Sequence, residues 1–157
     1  MIFGHGAFTL IVRKGPARVV PWWMLLLAAY GPDMVDKPAM WFGPWSGRGL
    51  GHSLVFWLLA ILLPLALAAR KKMLPLSAAL LAAGLWLVHL PMDAVGMETL
   101  FWPLLGPFPP PSHYSFLDML RTFYLEPDTP WLMACDLVLC TAALLASVTN
   151  KALPTHR

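Results

Sequence analysis

Long apolar runs, each closed by a charge or a helix breaker, constrain this chain more than any other feature. Residues 53–69 are apolar and end in Arg70-Lys71-Lys72, and residues 73–96 and 131–149 form two more such runs. About 20 apolar residues in helical form cross the hydrocarbon core of a bilayer. Lipid offers no partner to an open amide, so runs of this kind satisfy their backbone internally as helices. Composition agrees, at 59% hydrophobic and 12% charged residues, against about 45–50% and about 25% in ordinary soluble domains. Mean hydropathy is +0.66.

Two further apolar segments are shorter. Residues 19–31 would extend about 20 Å as a helix, and residues 2–12 less than that. These two are expected to form a hairpin that dips into the bilayer or crosses a thinned region. Residues 99–111 (TLFWPLLGPFPPP) are apolar but too rich in proline for a spanning helix. They read as an aromatic lid or loop at the headgroups. The expected fold is therefore an all-α integral membrane protein of 157 residues in one domain. Its core is a compact bundle of about four transmembrane helices, with a short N-terminal apolar helix and a proline-rich re-entrant or interfacial loop. The N-terminal segment has its charges after the apolar stretch rather than before it, unlike a secretory signal, and is expected to be retained.

The charges assign the ends. Starting each helix at its basic end groups Arg13, Lys14, Arg18, Arg70, Lys71, Lys72, Lys151 and Arg157 on one side. Asp33, Asp36, Asp93, Glu98, Asp118, Glu126 and Asp128 fall on the other, with Asp136 in the outer part of the last run. A basic side is a cytoplasmic side, which makes the plasma or inner membrane the expected location, with a cytoplasmic C-terminus. The basic residues flank apolar runs and form no stripe, so a nucleic-acid partner is excluded despite a pI near 9.1. Cys135 and Cys140 point about 140° apart on a helix and should not bond to each other.

Against this background the metal-binding residue types stand out. They occur in short islands: His5, then Asp33 and Asp36 in GPDMVDKP, His52 in GRGLGHSL, and His89 with Asp93 in HLPMD. His89 and Asp93 are four apart and share a helix face. Asp33 and Asp36 stand in what reads as a turn bounded by Gly31-Pro32 and Pro38, where aspartates are common for structural reasons. Two neighbouring carboxylates nevertheless repel unless a cation intervenes, and Lys37 supplies part of that charge. The helical rise brings the islands together. His52 is about 27 Å from Arg70, His89 about 25 Å from Lys72, and Asp36 about 27 Å from Arg18. Three distant motifs thus reach one depth on the acidic side. His5, only eight residues from Arg13, fits least well and is expected deeper or on a tilted segment.

Imidazole and carboxylate together suit zinc, with manganese as the alternative. Arg48 has the fork geometry to bind an oxyanion, and Glu98 and His113 are further candidates for a second ion or an acid. Asp136 reads as a paired or solvated group near the outer boundary.

The order of these motifs resembles that of small proteins identified as membrane-bound metal-dependent hydrolases. The resemblance rests on His5, PDMVDKP, RGLGHSL, HLPMD and the following ETLFWPLLGPFP, over residues 1–111. Many members carry a tighter Pro-Asp-x-Asp-His pattern; here two residues separate Asp33 from Asp36, and Lys37 stands in the histidine's place. In ligand order alone the chain is also remotely similar to zinc-dependent phospholipase C. The resemblance implies a hydrolase holding one to three divalent ions. His5, Asp33, Asp36, His52, His89 and Asp93 would be ligands, Arg48 and Glu98 catalytic groups, and an outer-leaflet lipid phosphoester the substrate. Hydrolysis of a lipid amide or ester at the same metal, and a metal-binding or transport protein without turnover, are the competing expectations.

Overall fold

The computed structural model describes residues 2–14, 20–111, 115–126 and 130–149. Among them every regular element is helical. Helix α1 spans Gly4–Lys14 and α2 Trp22–Phe42. A 3-10 turn, Leu50–His52, then leads into one rod built of α3 (Leu54–Phe56), a π-helical stretch (Trp57–Leu62) and α4 (Leu63–Arg70). Helix α5 (Leu76–Met92), the short α6 (Met97–Leu100), α7 (Phe116–Tyr124) and α8 (Pro130–Thr149) complete the chain.

Cross-contacts give the helix directions. Gly4 N–H meets Asp136 and Lys14 Nζ meets Ser147, so α1 and α8 run side by side in the same sense. The Trp57 indole donates to the Ala83 carbonyl at 2.9 Å, tying the start of the α3–α4 rod to the middle of α5. Helices α2 and α5 share a core of Val20, Leu25, Ala28, Ala78, Ala82 and Leu85. Both lead from there towards the residues of the HLPMD and PDMVD islands, whereas α1, the α3–α4 rod and α8 lead away. Arg13, Lys14, Arg70, Lys71 and Lys72 consequently end up remote from those islands.

The packing is made of small side chains. Ala28, Ala29, Ala78, Ala79, Ala82 and Ala83 are buried, while Leu58, Leu59, Leu63, Leu67, Leu80, Val138, Leu144, Leu145 and Val148 are exposed. Small residues let helix backbones approach closely, and the larger leucines and valines are left on the outside of the described helices. One helix segment among the described residues, Pro130–Val148, is long and apolar enough to cross a membrane. Leu54–Arg70 and Leu76–Met92 are apolar but shorter, and α2 contains Asp33, Asp36 and Lys37. Four spanning helices are thus not supported by length and apolarity, because charge interrupts one candidate and two others are about 25 Å long.

Two further expectations change. The 19–31 segment does not stop at Gly31-Pro32; α2 continues through Pro32 and Pro38 to Phe42, so Asp33 and Asp36 stand on a helix rather than in a turn. The prolines remove donors, but packing of α2 against α5 holds the helix together across them. The proline-rich segment holds no long helix: Thr99 and Leu100 end α6, and from there to residue 111 the chain is non-helical, with Trp102 stacked on Phe108 at 4.7 Å. Ser115 caps α7 with Asp118 in a reciprocal box; the Ser115 hydroxyl holds the Asp118 carboxyl below its usual range. Cys135 and Cys140 are both free.

Candidate metal centre

Four side chains converge where α2, the 3-10 turn and the end of α5 meet. Asp33, His52, His89 and Asp93 each offer one ligand atom, and these atoms all lie within 4.8 Å of one another. His52 Nε2 is 3.3 Å from His89 Nε2, 3.7 Å from Asp93 Oδ2 and 3.9 Å from Asp33 Oδ1. His89 Nε2 is 3.6 Å from Asp93 Oδ2. His52, His89 and Asp93 are buried and Asp33 is half-buried, so the group opens on the Asp33 side.

Both imidazoles are oriented from behind. His52 Nδ1 lies 2.7 Å from Asp36 Oδ2, and His89 Nδ1 lies 2.7 Å from the Ala29 carbonyl. Carboxylate and carbonyl oxygens only accept, so both Nδ1 atoms carry hydrogen. In the neutral rings each Nε2 then keeps a lone pair, and the two lone pairs face each other over 3.3 Å. Two carboxylates flank them. Such an arrangement is repulsive unless a proton or a cation lies between, and second-layer acceptors on Nδ1 are the usual support of metal-bound histidine. Asp33 Oδ1 is buried without a hydrogen bond, its ion-pair neighbour being Lys37 Nζ at 3.4 Å. Four ligands about 2.0–2.1 Å from a zinc ion stand about 3.3–3.4 Å apart, and the closer separations here approach that. The donor set fits one divalent ion.

Local sequence explains the convergence. His89 and Asp93 share a face at the end of α5, where Asp93 N–H bonds to His89 O at 3.1 Å. The glycines of GRGLGH let the chain wrap Asp36: Gly49 and Gly51 N–H donate to its two oxygens at 2.7 and 3.0 Å. A Cβ on Gly51 would lie 2.6 Å from the Pro32 carbonyl, so only glycine permits that approach. Trp86 fixes the other side, donating from its indole to Gly51 O at 3.1 Å while its ring fills the space beside Gly31.

The other expected residues take different places. Asp36 is engaged by Gly49, Gly51 and His52 and lies behind the cluster, orienting His52 instead of meeting the shared space. His5 is level with the cluster, not deeper. It stacks on His89 at 3.9 Å and puts Nε2 3.4 Å from Asp93 Oδ1, while His52 and His89 approach Asp93 Oδ2. Of the two expectations for it, the deeper position is the one that its contacts with His89 and Asp93 exclude. Arg48 and Glu98 are exposed and make no hydrogen bond or ion pair with the group. His113 and Asp128 lie outside the described residues.

Asp136 has a role that sequence reasoning left open. Fully buried, it accepts from Phe3 and Gly4 N–H at the start of α1 and from the Tyr124 hydroxyl of α7. Its carboxylate is a helix cap supplied by another helix, and it sets the position of His5 one residue on. Neither Ala29 O nor the Trp86 indole carries any sequence signal for its part, since both act through backbone and tertiary contact.

Among the described residues, fold and site together define an all-helical protein with one helix long and apolar enough to cross a membrane and a largely buried His/Asp group that could hold a metal ion. No protein-family model matches the chain, and no curated protein or solved structure does either.

Proposed function

We propose that this protein is a membrane-embedded, metal-dependent hydrolase whose ion is held by Asp33, His52, His89 and Asp93. The observation that carries the reading is the pair of facing Nε2 atoms, 3.3 Å apart and flanked by two carboxylates. The likeness of the motifs to membrane-bound metal-dependent hydrolases supports the reaction class. A zinc ion there would supply Lewis acidity and would make a coordinated water far more acidic. Asp36 and the Ala29 carbonyl keep the two imidazoles in the tautomer that binds. The half-buried Asp33 side is the way in, and Lys37 at 3.4 Å from Asp33 is the cation at that entrance. It, rather than the exposed Arg48, is placed to meet a phosphoester oxygen. Five helices pass through the bilayer or into it: α2, the α3–α4 rod, α5 and α8 as spans, α1 as a partial one.

Aromatic residues support that topology. Trp22 and Trp23 open α2 and Trp41 closes it, about 28 Å apart, close to the hydrocarbon thickness at whose edges tryptophan collects. Asp36 lies five residues inside Trp41, and Asp136 five residues inside Trp131. These spacings put the two carboxylates that back the cluster about 7–8 Å inside the outer tryptophan level, and Asp33, eight residues from Trp41, about 12 Å inside it. At that depth a lipid presents the linkage between headgroup and acyl chain, so a lipid phosphoester is the substrate class. The basic helix ends face the cytoplasm and the centre faces outward.

A metal-binding protein without turnover is the second reading, favoured by how little of the group reaches the surface. Release of phosphate or of a phosphorylated headgroup from lipid vesicles, abolished by His89→Ala and restored by zinc only in the parent protein, is the expected result. Stoichiometric metal with no product from any phospholipid, amide or ester substrate would establish the second reading instead.

A further inference from the structure

Asp33 is the least buried member of the metal-binding group, and the oxygen it turns towards that group is shared. Its Oδ1 stands 3.9 Å from His52 Nε2, against 3.3 Å between the two Nε2 atoms and 3.6 and 3.7 Å from these to Asp93 Oδ2. On its other side the same Oδ1 stands 3.4 Å from Lys37 Nζ. Asp33 and Lys37 are four residues apart on α2 and so share a helix face. The ammonium has a second anchor, donating to the Gly47 carbonyl at 3.3 Å. Glycine lets that loop lie so close, because a Cβ on Gly47 would stand 2.8 Å from Met40 Sδ.

A divalent ion and this ammonium need the same oxygen. Donors on one zinc ion each lie about 2.0–2.2 Å from it, so the four must draw together, and Asp33 has the furthest to come. A lysine nitrogen kept within reach of a ligand oxygen then stands only a few ångströms from a doubly charged centre. Like charges at that range repel strongly where water is largely excluded, and both side chains are half-buried. The ion has the greater charge and the further donors His52, His89 and Asp93. Lys37 has a flexible four-carbon stem that can carry its charge outward to water.

We propose that Lys37 competes with the divalent ion for Asp33: its ammonium holds Oδ1 until an ion takes that oxygen, and then swings out to the entrance. The inference concerns the regulation of the proposed centre and rests on that reading for the ion, but not on turnover. It gives Lys37 two anionic partners in sequence, Asp33 before loading and a phosphoester oxygen after it. The entrance thus offers its cation to a substrate only once the centre holds its metal. A lysine that merely propped Asp33 in place would act on affinity in the opposite direction, so the sign of the change is decisive.

The test uses the purified full-length protein in detergent, with zinc affinity measured by competition with a chromogenic chelator. Lys37→Met keeps an apolar stem of similar reach and removes the charge; it is expected to bind zinc about 10-fold tighter than the parent protein. Lys37→Arg keeps a cation and should stay close to the parent value. Acetylation by an amine-reactive reagent, read by mass spectrometry, should be faster at Lys37 in zinc-loaded than in chelator-stripped protein, with Lys71 and Lys72 unchanged. Weaker or unchanged zinc binding in Lys37→Met, equal tightening in Lys37→Arg, or equal acetylation of Lys37 with and without zinc overturns the competition. If phosphate release from lipid vesicles survives that failure, the hydrolase reading stands without it. Tighter zinc in Lys37→Met with no product from any lipid supports the competition and removes the hydrolase reading alone. A parent protein and a Lys37→Met variant that both bind no zinc remove the two together.

Discussion

At the scale of single residues, the site depends on which nitrogen of each histidine carries hydrogen. Asp36 settles this for His52, and both its oxygens are already occupied by N–H groups of Gly49, Gly51 and His52. An amide at this position cannot accept on both sides, so Asp36→Asn turns an NH2 towards a donor. The protein then either tolerates an unsatisfied buried donor, at about 1–3 kcal/mol, or flips His52 to the tautomer whose Nε2–H points into the cluster. Metal affinity is expected to fall about 10–100-fold, the usual effect of losing a second-layer partner, as measured by competition with a zinc chelator. An affinity unchanged in Asp36→Asn would mean that His52 is not a ligand. Acid acts in the same direction, because protonation of either Nε2 removes a donor and releases the ion.

Elements deliver these residues, and α2 and α5 matter most. Trp86 of α5 occupies the space beside Gly31 so closely that a Cβ there would stand 1.9 Å from its ring. Gly31→Ala must displace Trp86, and with it the indole bond to Gly51 that holds the turn carrying His52. Overpacking of this kind costs about 1–3 kcal/mol. The expected outcome is a lower unfolding midpoint in detergent together with weaker metal binding. A stable Gly31→Ala protein with full affinity would show that the turn does not depend on Trp86.

The helical segments were legible because apolar runs and basic ends are local features: residues 53–69 and 131–149 match the rod and α8 to within a residue or two. The extent of α2 was not, since Gly31-Pro32 is a strong local stop signal that only packing against α5 overrides. The cluster was legible in part. Spacing put Asp36, His52 and His89 at one depth; His52 and His89 do meet, with Asp93 one helical turn on, while Asp36 stands behind His52 instead of in the shared space. Which of Asp33 and Asp36 faces the shared space depends on helix phase and on the path of the Gly49–Gly51 loop, and neither is written in the spacing. For His5 the spacing left a deeper position or a tilted segment open, because distance from a basic end sets depth only for a helix that spans upright.

For the whole molecule, the decisive property is polarity of its ends. Every metal-binding side chain lies at one end of the bundle and Arg13, Lys14, Arg70, Lys71 and Lys72 lie at the other, with exposed leucines between. The proposed topology predicts opposite accessibility in sealed vesicles of native orientation. A cysteine introduced by Trp45→Cys should react with an impermeant maleimide from outside, and one introduced by Lys71→Cys only after permeabilisation, both in a background lacking Cys135 and Cys140. Reaction of both from the same side would remove the spanning assignment of the α3–α4 rod.

The existence of the metal centre itself is the claim on which the rest depends. It is tested most directly by mass-spectrometric metal analysis of the purified, zinc-equilibrated protein alongside His52→Ala, His89→Ala and Arg48→Ala. A stoichiometric divalent ion is expected in the parent protein and in Arg48→Ala, and its loss in both histidine variants while they remain folded. A folded parent protein that retains no metal after equilibration, or histidine variants that retain it in full, would contradict the account.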